Sequence, residues 1–184
     1  MAEMDQGLHR QQNLYWNQMV ELKVAASYIR CYRDYLGRWV TGIGVVKAVA
    51  SSTSIAALAV WREHAFVWGA IIAISQVVDA LKDVFPITKR YKAASEHAVA
   101  LDSLFIDAQM EWENIFSGSY TDAQINTRLH KLRKLQHDAE QRSFKEGLPI
   151  RADLFKEAQD ESAAFFVNTY GVHLVTGGTD VQTR

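Results

Sequence analysis

The sequence predicts an all-α membrane protein: a two-transmembrane helical hairpin extended into a cytoplasmic antiparallel coiled-coil stalk and followed by two shorter cytoplasmic helices. Three observations predict it. Two apolar stretches, 40–61 and 65–85, stand almost back to back with only Arg62-Glu63-His64 between them. Each is near the ~20 residues that a helix needs to cross a ~30 Å hydrocarbon core. On either side of them apolar residues recur at alternating three- and four-residue spacing, the seam of paired helices. The 184 residues also hold only two prolines, which favours helix throughout.

Residues 1–36 are expected to form an N-terminal cytoplasmic helix. Met1 to Arg10 is polar and offers no apolar core of a cleavable signal. Tyr15, Met19, Leu22, Ala26 and Ile29 then mark one helical stripe. The transmembrane hairpin is placed at 37–86, with its tip at 62–64. Arg30, Arg33 and Arg38 precede its first apolar stretch, and Lys82, Lys89, Arg90 and Lys92 cluster at and beyond the end of the second. By the positive-inside rule both termini face the cytoplasm of a bacterial inner membrane. Trp39, Trp61 and Trp68 sit where interfacial tryptophans are expected.

The stalk helix spans 87–117 and carries Ile87, Tyr91, Ala94, Ala98, Leu101, Phe105, Ala108, Trp112 and Ile115 on one stripe. Folding the chain about Glu63 brings 15–29 opposite 97–111. Gly37 and Pro86 then fall at one level, as a hinge between stalk and bilayer or as tolerated junction residues. Two C-terminal helices occupy 121–170. Thr121 and Asp122 cap the first, whose apolar side is Ile125, Leu129, Leu132, Leu135 and Ala139. Gly147-Leu148-Pro149 breaks the chain before the second. Phe155, Phe165, Phe166 and Tyr170 give that helix an aromatic face, which either packs on the stalk or binds a soluble partner. Residues 171–184 read as a flexible tail.

Polar groups inside the apolar stretches pull toward the rival reading, a helical bundle with a very apolar central pair. A charge at mid-bilayer costs about 2.5–3.5 kcal/mol on insertion scales. The fold-back register answers part of this, because Lys47 and Asp79 lie equally far from Glu63 and would pair at one depth. Lys47, Ser51 and Ser54 share one helical face, and Gln76 and Asp79 share another. Lipid cannot satisfy such stripes, so they either lock the hairpin or line a pore between several copies.

The net charge of −1 argues against a nucleic-acid partner. The single cysteine, Cys31, allows no internal disulfide. The sequence contains no phosphate-binding glycine loop, no CxxC and no HExxH, and its six histidines are scattered. No catalytic residue, metal site or cofactor is expected, and an enzyme is not predicted.

From Tyr28-Ile29-Arg30 through both apolar stretches to Arg90-Tyr91-Lys92-Ala93-Ala94, and more weakly to Trp112, the chain resembles the SLATT-domain family. These are two-transmembrane effectors of bacterial anti-phage and nucleotide-signalling conflict systems. The resemblance covers about half of the chain and carries no catalytic motif. It implies an effector that oligomerises and permeabilises or depolarises the bacterial inner membrane in anti-phage defence, gated through its cytoplasmic helices. The partners it implies are membrane lipid, further copies of the chain and a cytoplasmic sensor or signal-generating protein. The alternative is a non-conducting membrane scaffold that recruits a soluble partner through its C-terminal helices.

Overall fold

The computed structural model describes residues 2–52 and 86–172, together with 66, 69, 70, 73, 74, 76 and 77. Among the described residues four helices have defined bounds: α1 (Ala2–Ser52), α2 (Ile87–Phe116), α3 (Asp122–Ser143) and α4 (Ala152–Tyr170). Both prolines stand outside them. Pro86 directly precedes α2 and its carbonyl accepts the Arg90 N–H at 3.0 Å, so it opens that helix. Pro149 lies in the α3–α4 loop.

The chain divides into two compact units, Met1–Tyr32 with Ala94–Arg184, and Arg33–Ala93. In the first unit α1 and α2 run antiparallel. Gln12 Nε2 donates to the Ile115 carbonyl at 3.1 Å, Tyr15 donates to the Ala108 carbonyl at 3.4 Å, and Lys23 sits over the ring of Phe105. The stripe residues are the buried ones: Tyr15, Met19, Leu22, Ala26 and Ile29 meet Ala94, Ala98, Leu101, Phe105, Ala108 and Ile115. Burying each of the larger side chains contributes about 1.5–3 kcal/mol, which explains why spacing alone registers the pair.

α3 and α4 complete this unit. Gln124 reaches back to accept the Thr121 N–H at 2.9 Å, which fixes the start of α3. Ile125, Leu129, Leu132 and Ala139 are its buried side. Leu135, expected among them, is 36 % exposed. Buried Gln18 ties α1 to α3 by accepting from Arg133 Nε at 2.7 Å and donating to Gln136 Oε1 at 3.0 Å. α4 buries Ala158, Ser162 and Phe166 and ends at Gly171, whose φ of 67° and N–H bond to the Val167 carbonyl form a left-handed cap.

The α3–α4 loop is pinned by one hydroxyl. Tyr28 donates to the Pro149 carbonyl at 2.6 Å and accepts from the Arg151 N–H at 3.0 Å. Burial pushes the phenol up from its ordinary range, so it remains a donor. Tyr28→Phe removes both bonds while keeping the ring. It should lower stability by about 1–3 kcal/mol and raise hydrogen exchange in the α3–α4 loop first, read by denaturant melts and exchange mass spectrometry.

The transmembrane hairpin is corrected. Among the described residues no helix is long and apolar enough to cross a membrane. The physical reason lies in the last part of α1, where Arg38, Thr41, Gly42, Gly44, Lys47, Ser51 and Ser52 dilute the apolar residues after Trp39. The expected inner-membrane location and the transmembrane, pore and ion-channel assignments fall with the hairpin; the helical character stands. The tip at 62–64, most of the stretch 65–85, the tryptophans Trp61 and Trp68, and the tail from 173 onward lie outside the described residues.

Candidate functional site

The residues expected to act inside a membrane fall only in part among the described ones. Lys47 is half-buried on α1, while Gln76 is exposed. Ser51 belongs to α1, and Ser54 and Asp79 lie outside the described residues, so the Lys47–Asp79 pair does too.

Of the two hinge candidates, Gly37 faces an aromatic ring and Pro86 stands at a helix start. Gly37 lies within α1, and a Cβ built there would come 3.2 Å from the Tyr91 ring. The glycine thus admits a close approach of that ring to the helix. Pro86 marks the start of α2.

The four aromatic residues proposed for a partner are mostly spent within the chain. Phe166 is 0 % exposed and packs edge-on against Trp16 at 5.3 Å and Phe165 at 5.3 Å, and stacks with Tyr170 at 5.7 Å. Trp16 in turn meets Trp112 at 4.9 Å and Tyr170 at 5.2 Å. Tyr170 also accepts a hydrogen bond from Gln109 at 3.1 Å. Phe165 reaches Phe105 at 5.5 Å. This cluster joins α1, α2 and α4. Phe155 is exposed, edge-on to Tyr28 at 6.0 Å, and Phe165 and Tyr170 are half-buried.

Three polar groups inside the first unit were not legible as sites. Lys23 is 8 % exposed, with its ammonium 4.3 Å from the Phe165 ring centroid and 5.0 Å from that of Phe105. Removal from water lowers its pKa and Arg30 adds to this, against Glu161 and Asp102. Ring faces attract the cation there and fix α4 against α1 and α2. A lysine in an apolar stripe reads as a break in the pattern, and nothing in the spacing announces two phenylalanines arriving from other helices.

Arg128 Nε lies 2.9 Å from Glu111 Oε2 without forming an aligned hydrogen bond, and its guanidinium stacks 3.9 Å over Tyr120. The pair borders a cleft of about 240 Å³ that also takes in Asp107 and Lys131. Both partners remain about one-third exposed, where such pairs are worth about 0–1 kcal/mol. A structural role accounts for it. His97 is the third group, buried on α2 beside Phe144 and Glu140.

The second unit presents a different surface. Tyr35, Arg38, Trp39, Gly42, Ile43 and Val46 line one side of α1 at helical spacing and, with Ile74, enclose an apolar groove of about 560 Å³. Trp39 is 52 % exposed, Ile74 55 % and Phe66 89 %, with Val45 and Val77 also open. Among the described residues no cluster of histidine, cysteine or carboxylate side chains could hold a metal ion.

Compared with protein-family models, curated proteins and solved structures, the chain matches none. The resemblance to SLATT-domain effectors therefore rests on the sequence pattern alone.

Proposed function

We propose that this chain is a non-enzymatic helical assembly protein that acts by associating with further copies of itself through the apolar face of its second unit. The observation that carries this reading is the exposed groove along α1 with Trp39 and Ile74 at its rim. Contiguous apolar surface of this kind marks an interaction site. Among the described residues Arg38 is the one charged residue lining the groove, which leaves them little charge pattern to select a different protein. A net charge of −1 opposes like-with-like contact only weakly.

Thr41, Gly42 and Gly44 are exposed on α1, and small residues let two helices approach closely. An antiparallel crossing centred on Gly42 sets Trp39 against Val45 of the partner subunit and keeps the two Arg38 side chains apart. The effector role implied by the SLATT resemblance enters here as assembly in anti-phage defence, with the signal acting on the first unit.

Gly42 also supplies the test. A Cβ built there meets nothing within 4 Å in the single chain, so Gly42→Leu fits the protomer and improves helix propensity. In the assembled form the same side chain holds the two helices apart. Gly42→Leu should leave thermal stability of the dissociated chain equal or higher and weaken self-association at least about ten-fold, roughly 1.4 kcal/mol. An unchanged association constant would remove this surface from the interface.

A further inference from the structure

α2 carries a second stripe on the side away from the core. Val99, Ser103, Ile106 and Met110 follow one another at alternating four- and three-residue spacing and share one helical face. Val99 is 69 % exposed, Ile106 59 % and Met110 60 %, while the opposite side of the helix holds the buried seam from Ala94 to Ile115. The stripe runs for about 16 Å at 1.5 Å per residue, all of it within the first unit. Single exposed apolar side chains are ordinary, but a row of them at helical period is the surface that one helix offers to another.

The charges around the stripe are mainly of one sign. By helical register Glu96 and Asp107 lie along one edge, and Asp102 and Glu113 along the other. No lysine or arginine occurs between Lys92 and Arg128. Cations from other helices answer part of this: Lys23 is buried, Arg128 pairs with Glu111, and Lys131 shares the α2–α3 cleft with Asp107. Glu96, Asp102, Asp107, Glu111 and Glu113 outnumber them, so the face stays acidic.

We propose that this stripe docks a cationic amphipathic helix of a different protein, with its apolar side on Val99, Ile106 and Met110 and its lysines or arginines on the carboxylates of both edges. Charge decides among the occupants. Two copies joined stripe to stripe would set carboxylates against carboxylates, and like charges facing across an interface are costly. The outer side of α3 in a second copy matches the charge, with Lys131 and Lys134 exposed, but Leu135 is its one large exposed apolar residue. An anionic lipid surface or a nucleic acid is repelled by the same edges. A cationic amphipathic helix satisfies the apolar row and both acidic rims together. The stripe belongs to the first unit, so recruitment here does not depend on assembly through the second.

The test uses the full chain and two synthetic amphipathic peptides of about 15 residues, roughly 22 Å as helices, one of leucine and lysine and one with every lysine replaced by glutamate. The lysine peptide should bind saturably in isothermal titration, at least about ten-fold more tightly than the glutamate peptide, and its affinity should fall as salt rises. Ile106→Ser should weaken it about ten-fold or more with the helical circular dichroism signal intact. Ile150→Ser, the same change at an exposed position of the α3–α4 loop, should leave it unaltered. The proposal is overturned if the lysine peptide does not bind, if both peptides bind equally, or if Ile106→Ser has no more effect than Ile150→Ser. It is also overturned if Ile106→Ser instead lowers the sedimentation mass of the chain alone, which would give the stripe to a second copy.

Discussion

Phe166→Ala should unfold this protein more readily than any other single truncation on α4, lowering stability by about 3–5 kcal/mol in a urea titration. The side chain is fully buried, and its ring meets Trp16, Phe105, Phe165 and Tyr170, contributed by α1, α2 and α4. Cutting it to a methyl removes the transfer free energy of the ring. It also leaves a hole that three helices cannot close without giving up their own contacts. Aromatic edge-on pairs contribute about 0.5–1.5 kcal/mol each beyond area, and several are lost together. The experiment also separates two readings of the same sequence. A face kept for a partner would tolerate alanine with a loss under about 1 kcal/mol, whereas a core face would not.

Acid should destabilise the chain through His97. Burial is the main cause of its depressed pKa; Glu140 and the hydrogen bond at the Ala139 backbone oppose it without reversing it. A folded-state value below the unfolded one means that the unfolded chain binds the proton first as pH falls. The stability associated with a neutral His97 is therefore complete above about pH 6.5, the ordinary histidine value, and is lost as pH drops toward the lower folded value. The limiting slope is about 1.4 kcal/mol per pH unit for one proton. Denaturant midpoints between pH 8 and pH 5 should fall for the native chain and stay flatter for His97→Leu over that window. Equal slopes in both proteins would show that His97 is not the group responsible.

The sequence pattern carried the first unit well because its helices are amphipathic with a steady period. Tyr15, Met19, Leu22, Ala26 and Ile29 could be matched to Ala94 through Ile115 by counting from Glu63, and these are the residues that meet. The capped start of α3 and the break at Gly147-Leu148-Pro149 were legible for equally local reasons. What was lost is what spacing does not encode. Phe165 and Phe166 read as a face, but whether that face meets a partner or Trp16 depends on how α4 lies against α1. The Tyr28 hydroxyl and the Lys23 ammonium between two rings arise from residues more than 80 positions apart in the chain, and buried His97 meets Phe144 and Glu140 through the same helix packing.

The membrane reading failed on a different point. Apolar length suggested spans at 40–61 and 65–85, yet the described end of α1 mixes glycine, threonine, serine and Lys47 into the first of them. The interfacial look of Trp39 has another physical explanation. On α1 it borders the groove with Gly42, Ile43 and Val46, where an exposed aromatic anchor suits contact with another helix.

Assembly through that groove is the central claim, and the mass of the native chain in solution tests it most directly. Sedimentation equilibrium of the full 184-residue chain over a hundred-fold concentration range should give a mass above 20.8 kDa that rises with concentration. A mass that stays at 20.8 kDa across the whole range would contradict it.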